Sequence, residues 1–198
     1  MNEVPTPGTR ERLIAAMIDA LRRRGLHGIG LTELLAQAGA PKGVLYHHFP
    51  GGKTELAVAA IDAVVDRMLR GLDALLATTP DPIEATRRWM AGATARLQDS
   101  GFESGCPLAT VALESTPDDP ALRAALNQAF ARLRERIALA LAQAGEPTDR
   151  AHGVAALIVA TYEGGLLQAR VAQSIEPIHL ATQALLTLLA GRAQAATK

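Results

Sequence analysis

The residues best equipped for chemistry crowd into one short stretch. Lys42, Gly43, Tyr46 and His47 offer a cation, a bare backbone, a phenol and an imidazole. Such groups meet phosphate oxygens and base edges. Lys53 adds a second cation and Thr32 a hydroxyl on either side of them. Nowhere does the chain assemble a nucleophile, a base and an orienting group. His47 and His48 are adjacent, so they point to different faces of a helix and make a poor chelating pair; metal-ligand spacing is absent elsewhere. Recognition is therefore expected rather than catalysis, with no cofactor and no metal.

The elements around these residues explain their placement. Leu31 to Leu56, LTELLAQAGAPKGVLYHHFPGGKTEL, reads as a short helix, a tight turn, a second short helix and the start of a longer one. That is a helix-turn-helix, whose second helix enters the major groove of double-stranded DNA. Thr32 is expected to cap the first helix. Leu34, Leu35 and Ala38 give it one buried face. Gly39 suits the left-handed stop, and Pro41 the first position of the next helix. Val44, Leu45 and Phe49 then face inward, leaving Lys42, Gly43, Tyr46 and His47 outside. Pro50-Gly51-Gly52 ends the helix, and Lys53 lies in the first turn of the next, where a phosphate contact is expected.

This segment resembles the TetR family of bacterial transcriptional regulators. The resemblance rests on the helix start around Thr32, on Ala38-Gly39-x-x-Lys42-Gly43, and on Tyr46-His47-His48-Phe49-x-x-Lys53-x-x-Leu56. Two later stretches, Gly105-Cys106-Pro107-Leu108-Ala109-Thr110-Val111-Ala112-Leu113-Glu114 and Glu163-Gly164-Gly165-Leu166-Leu167-x-Ala169-Arg170, look like the subgroup of lincomycin-resistance (LmrA/YxaF-like) repressors. The resemblance implies a cytoplasmic repressor that holds a palindromic operator as a homodimer. It also implies a C-terminal pocket for a small apolar or aromatic effector. A ligand there shifts the conformational equilibrium only if it binds the conformers unequally. The alternative is a helical regulator without such a ligand, partnered by a protein or constitutive.

Trp89, Phe102, Cys106, Phe130 and Tyr162 are the candidates for that pocket, since ligand sites are apolar and aromatic with few polar anchors. Gln128, Tyr162 and Gln168 are the candidate anchors. Each large side chain is equally compatible with ordinary core. For Cys106, a small buried thiol beneath the pocket is favoured over a reactive one. The last two helical stretches are rich in Ala, Gly and Leu. Leu157, Thr161, Gly165, Leu185, Leu188 and Leu189 are expected to form a dimer interface about a two-fold axis.

Composition bounds these readings. The chain has 198 residues, 48% of them hydrophobic, enough for a real core. Formal net charge is zero, which argues against indiscriminate nucleic-acid binding. Basic charge nonetheless gathers at one end: residues 1–54 hold seven Lys or Arg against four Asp or Glu, as phosphate contact requires. A single cysteine excludes an internal disulfide. Residues 1–8 lack a signal peptide's basic start and apolar core, and no apolar run approaches the ~20 residues that cross a bilayer.

Abundant Ala and Leu favour an all-α fold. Helical periodicity and the Pro/Gly breaks give nine helices. The expected organisation is a flexible arm over 1–8, a helix-turn-helix domain over 9–52, a ligand-binding and dimerisation domain over 53–191, and a flexible tail over 192–198.

Overall fold

The computed structural model describes residues 8–195, with side chains to residue 189. All nine elements among the described residues are helices: α1 (Thr9–Arg23), α2 (Leu31–Ala38), α3 (Lys42–His48), α4 (Gly52–Thr78), α5 (Pro82–Asp99), α6 (Pro107–Glu114), α7 (Pro120–Gln143), α8 (Thr148–Ala172) and α9 (Glu176–Ala195). Residues 1–7 of the expected 1–8 arm and the last three residues of the expected tail lie outside the described residues. α9 itself runs to Ala195, past Arg192 where the tail was expected to begin.

The helix ends follow from local chemistry. Asp81 caps α5 by accepting the Ile83 N–H at 2.9 Å, with Pro82 in the first turn where no N–H is needed. Gly39 closes α2 at φ 58, ψ 39, the left-handed stop that glycine adopts without strain. Thr32 does not cap α2. Gly30 holds the cap position without a side-chain bond, and Thr32 lies exposed inside the first turn. At the start of α4 the Glu55 carboxylate instead accepts the Gly51 N–H at 2.6 Å.

The residues form two compact units. One comprises the chain up to Val64 with Pro107–Ala129; the other comprises Val65–Cys106 and the chain from Phe130 onward. α4 and α7 each contribute to both. The first unit is thus larger than the expected 9–52 domain, because α6 and the first half of α7 belong to it. Its core holds Leu13, Met17 and Leu21 of α1, Leu34 of α2, Leu45 of α3 and Leu56 and Ile61 of α4, all essentially inaccessible. Arg12 donates to the Ala38 carbonyl at 3.1 Å, fastening α1 to the end of α2.

The second unit packs α5, α8 and α9 with the adjoining halves of α4 and α7. Gly165 is buried at the approach of α8 to α9: a Cβ there would lie 2.8 Å from Ile178 Cγ1. Leu185 is likewise buried, at 4% exposure. Both were expected at an interface between copies. They are instead consumed inside the chain, because α9 folds back on α8 along that face. Two ion pairs, Arg132–Asp66 and Arg136–Asp73 (the second at 2.6 Å), join α7 to α4 within this unit.

Gly165→Val is therefore expected to destabilise the fold by roughly 1–3 kcal/mol through overpacking. Gly153→Ala, on α8 with open space where its Cβ would go, is expected to stabilise it by about 0.5–1 kcal/mol. Urea denaturation of the two variants and the parent measures both.

Candidate nucleic-acid interface and effector site

α3 is short because Lys42 to His48 spans only two turns before Phe49 leaves helical geometry at φ −139. Leu45 and Phe49 are buried and Val44 half-buried, so the opposite face is left outside. Lys42, Gly43, Tyr46 and His47 are all exposed, Tyr46 by 48%. A phenol so exposed on a protein's surface lacks a packing reason to be there. The Tyr46 ring instead borders Gly52, whose Cβ would come within 3.5 Å of it, and Gly52 has a positive φ of 69. Beneath this face Arg10 lies over the Phe49 ring, 5.3 Å from its centroid. The α3 surface thus presents a cation, bare backbone, phenol and imidazole on one exposed face.

Lys53 departs from expectation. Its ammonium donates to the carbonyls of Leu26 and Ile29, both at 2.6 Å. Burial pushes its pKa down, and Glu114 nearby pushes it partly back. Glu114, the last residue of α6, accepts the Leu26 N–H at 2.5 Å. The turn joining α1 to α2 is therefore gripped by a lysine from α4 and a glutamate from α6. Lys53 was expected at phosphate because it sits at a helix start beside α3; instead the carbonyls of the α1–α2 turn accept from it. Glu114 went unassigned, since nothing in its own neighbourhood marks a partner 88 positions earlier in the chain.

The residues expected to bind an effector all lie in the second unit. Trp89 and Tyr162 are buried and stacked, with centroids 4.5 Å apart and planes at 28°. Trp89 also donates from Nε1 to the Met68 carbonyl at 3.2 Å. Cys106 is buried at the end of the loop from α5 to α6, while Phe102 in that loop and Phe130 are half-buried. Phe102 has φ 64, a conformation costly for a side-chain-bearing residue. Gln128 and Gln168 are exposed, so neither sits as an anchor among these buried rings.

A buried polar group that meets Cys106 is Glu163, the residue after Tyr162 on α8. Its Oε1 accepts from the Cys106 thiol at 3.2 Å, and its Oε2 is enclosed without a partner. Burial pushes its pKa up from the ordinary 4.5 to about 7, with the thiol's donation opposing the rise. The sequence showed Glu163 only as the first residue of the Glu163–Arg170 motif.

Two hollows open elsewhere in this unit. A cavity of about 350 Å³ between α5 and α9 is lined by Met90, Thr94, Gln98, Ile175 and His179 among others. A groove of about 540 Å³ between α4 and α7 is lined by Leu69, Arg132 and Leu139 among others. None of the residues assigned to the effector lines either one.

Comparison with known proteins agrees with this geometry. Residues 13–60 match the model of bacterial regulatory proteins of the TetR family. Residues 82–184 match the LmrA/YxaF-like transcriptional regulator C-terminal domain. The chain is 32% identical to an uncharacterised helix-turn-helix-type transcriptional regulator of Mycobacterium tuberculosis, over 92% of this chain and 94% of that one. It is 27% identical to the transcriptional regulator LmrA of Bacillus subtilis, over 86% and 90%. Among solved structures, a TetR regulatory protein of Rhodobacter sphaeroides superimposes with a TM-score of 0.79 at 26% identity, covering 89% of this chain and 96% of that one. The chain belongs to the TetR family of DNA-binding transcriptional regulators, with a C-terminal domain of the LmrA/YxaF-like kind.

Two predictions follow from the site. Lys42→Ala is expected to flatten the log–log salt dependence of DNA binding by roughly one unit without lowering the melting temperature. Lys53→Met is expected to leave that slope unchanged but to cost ~1–3 kcal/mol of stability, because two turn carbonyls lose their donor. Fluorescence anisotropy over a salt series, with melting curves, separates the two roles. Glu163 predicts a pH effect. The folded carboxyl keeps its proton to about pH 7, whereas an unfolded one releases it near 4.5. Its contribution favours folding below about pH 4.5 and is lost as pH rises through about 7. Glu163→Gln should thus gain on the order of 3 kcal/mol over the parent at pH 8, a gain that vanishes below pH 4.5. Denaturation at the two pH values reads it.

Proposed function

We propose that this regulator is a cytoplasmic homodimeric repressor, released from a palindromic operator by a small apolar or aromatic effector. The observation that carries the reading is the α3 platform: an exposed lysine, glycine, tyrosine and histidine on a helix otherwise anchored in core. Lys42, Tyr46 and His47 are read as contacts to phosphate and base edges. Gly43 lets backbone approach the DNA closely, and Thr32 adds a hydroxyl at the start of α2. Lys53 serves the same surface indirectly, by fixing the α1–α2 turn.

The dimer reading is supported by apolar surface left over after α8 and α9 have packed together. On α8, Leu157, Thr161, Gly164, Leu167 and Val171 recur at helical spacing on one stripe. Leu157 and Leu167 are about half exposed and Val171 is 80% exposed. On α9, Leu180 and Leu188 are 59% and 60% exposed, with exposed Ala184 between them. Adjacent apolar stripes of this kind mark an association surface, and a second copy offers the same stripes about a two-fold axis. Leu157, Thr161, Leu188 and the half-buried Leu189 remain in the proposed interface; Gly165 and Leu185 leave it.

The effector is read as entering among Trp89, Tyr162, Phe102, Cys106 and Phe130. The covalent route outward is short, since Cys106 is followed directly by α6, which ends at Glu114 on the α1–α2 turn. A ligand that moved the loop before α6 would therefore strain the grip on the DNA-binding unit.

Leu157→Glu with Leu188→Glu tests the dimer and the repressor together. Sedimentation velocity is expected to show monomer, because the change buries unpaired charge in the interface. Operator affinity should fall by at least about a hundredfold, since a monomer holds one half-site only. A dimer that survives the double substitution places the interface elsewhere.

A further inference from the structure

We propose that Glu163 is the polar anchor of the effector site, its Oε2 accepting a hydrogen bond from an N–H or O–H group of the bound molecule. The inference rests on the effector reading above and narrows its chemistry from any apolar molecule to one that carries a donor.

Three observations converge on the residue. First, its two carboxyl oxygens are unequal. Oε1 is held by the Cys106 thiol at 3.2 Å, while Oε2 is enclosed and unpartnered. A buried acceptor left without a donor is costly, and native proteins retain few of them without a purpose. Second, none of the ion pairs among the described residues involves Glu163, so its charge is not spent on an internal cation. The carboxyl accordingly sits with its pKa raised by burial. Third, the residue before it on α8, Tyr162, is stacked on Trp89 of α5. One ring of that aromatic pair thus shares α8 with the carboxyl, and Cys106, which the carboxyl meets, ends the loop that also carries Phe102. Aromatic walls with one placed polar group are the composition of a ligand site.

The chemistry selects the ligand class. Oε2 is an acceptor only while the carboxyl is ionised or its proton lies on the other oxygen. It rewards an ammonium, an amidinium or a hydroxyl and penalises a carboxylate or sulfonate. The apolar remainder of the molecule would part Trp89 from Tyr162, whose rings now occupy each other's faces. Ammonium and hydroxyl are two sources of the same donor chemistry, and charge separates them: only the ammonium gains from a formal negative charge at Glu163.

Benzylamine, benzyl alcohol and toluene share one ring and differ in the donor, so they serve as probes. Binding of each to the full-length chain is measured by calorimetry at neutral pH for the parent, Glu163→Gln, Glu163→Leu and Trp89→Ala. The parent should bind the two donor probes at least about ten times tighter than toluene. Glu163→Leu should lose that preference while still binding toluene, and its melting temperature reports that it is folded. Glu163→Gln should keep benzyl alcohol if hydroxyl is the natural donor, and should lose benzylamine in either case. A parent that binds toluene as tightly as the donor probes, or binds none of the three, overturns the proposal. So does a donor preference that persists in Glu163→Leu. If Trp89→Ala abolishes binding of all three while Glu163→Leu leaves the preference intact, the effector site stands and its anchor lies elsewhere. If neither substitution matters, the effector site itself is misplaced.

Discussion

The carbonyls of Leu26 and Ile29 converge on one ammonium, that of Lys53, and the Leu26 N–H meets the Glu114 carboxylate. Much of the DNA-binding unit depends on this junction. The turn between α1 and α2 buries Leu26 and Ile29 and contains Gly25 at φ 76, Gly28 and Gly30. Three charge-assisted hydrogen bonds hold it, and each is stronger than a neutral one. Because α2 in turn packs on α3, the α3 surface is positioned by groups that lie outside it. The same junction explains why Gly25 is glycine: a Cβ there would lie 2.1 Å from a Glu114 oxygen.

A second constraint operates where α8 meets α9. Gly165 lets the two helices approach until Ile178 fills the space a side chain would take. That close packing uses up one face of each helix and leaves another apolar and exposed. Gly164, one residue earlier, has open space around it.

Much of this was legible in the sequence. The nine helices follow from Pro and Gly breaks and from stripes such as Leu122, Leu126, Phe130, Leu133, Ile137 and Leu141, of which all but Phe130 are fully buried. Gly39 and the exposed face of α3 were legible because both are local: four or five residues determine them. What failed was long-range. Lys53 was read from its neighbours in sequence, and its true partners lie 24 and 27 residues away. Gly165 and Leu185 were read as residues of an interface between copies, but periodicity cannot say whether the helix packed against them belongs to the same chain. Glu163 was visible only as part of a motif, since the isolation of one carboxyl oxygen is a property of the folded surroundings.

The central claim is that two copies of the α3 surface read one symmetric stretch of DNA. Selection of bound fragments from a random DNA pool, followed by footprinting of the winners, tests it most directly. The account predicts one enriched inverted repeat, with protected major-groove segments whose centres lie about one helical turn apart or more, ~34–36 Å at the least. Enrichment of an asymmetric site, or of no sequence at all, would contradict it.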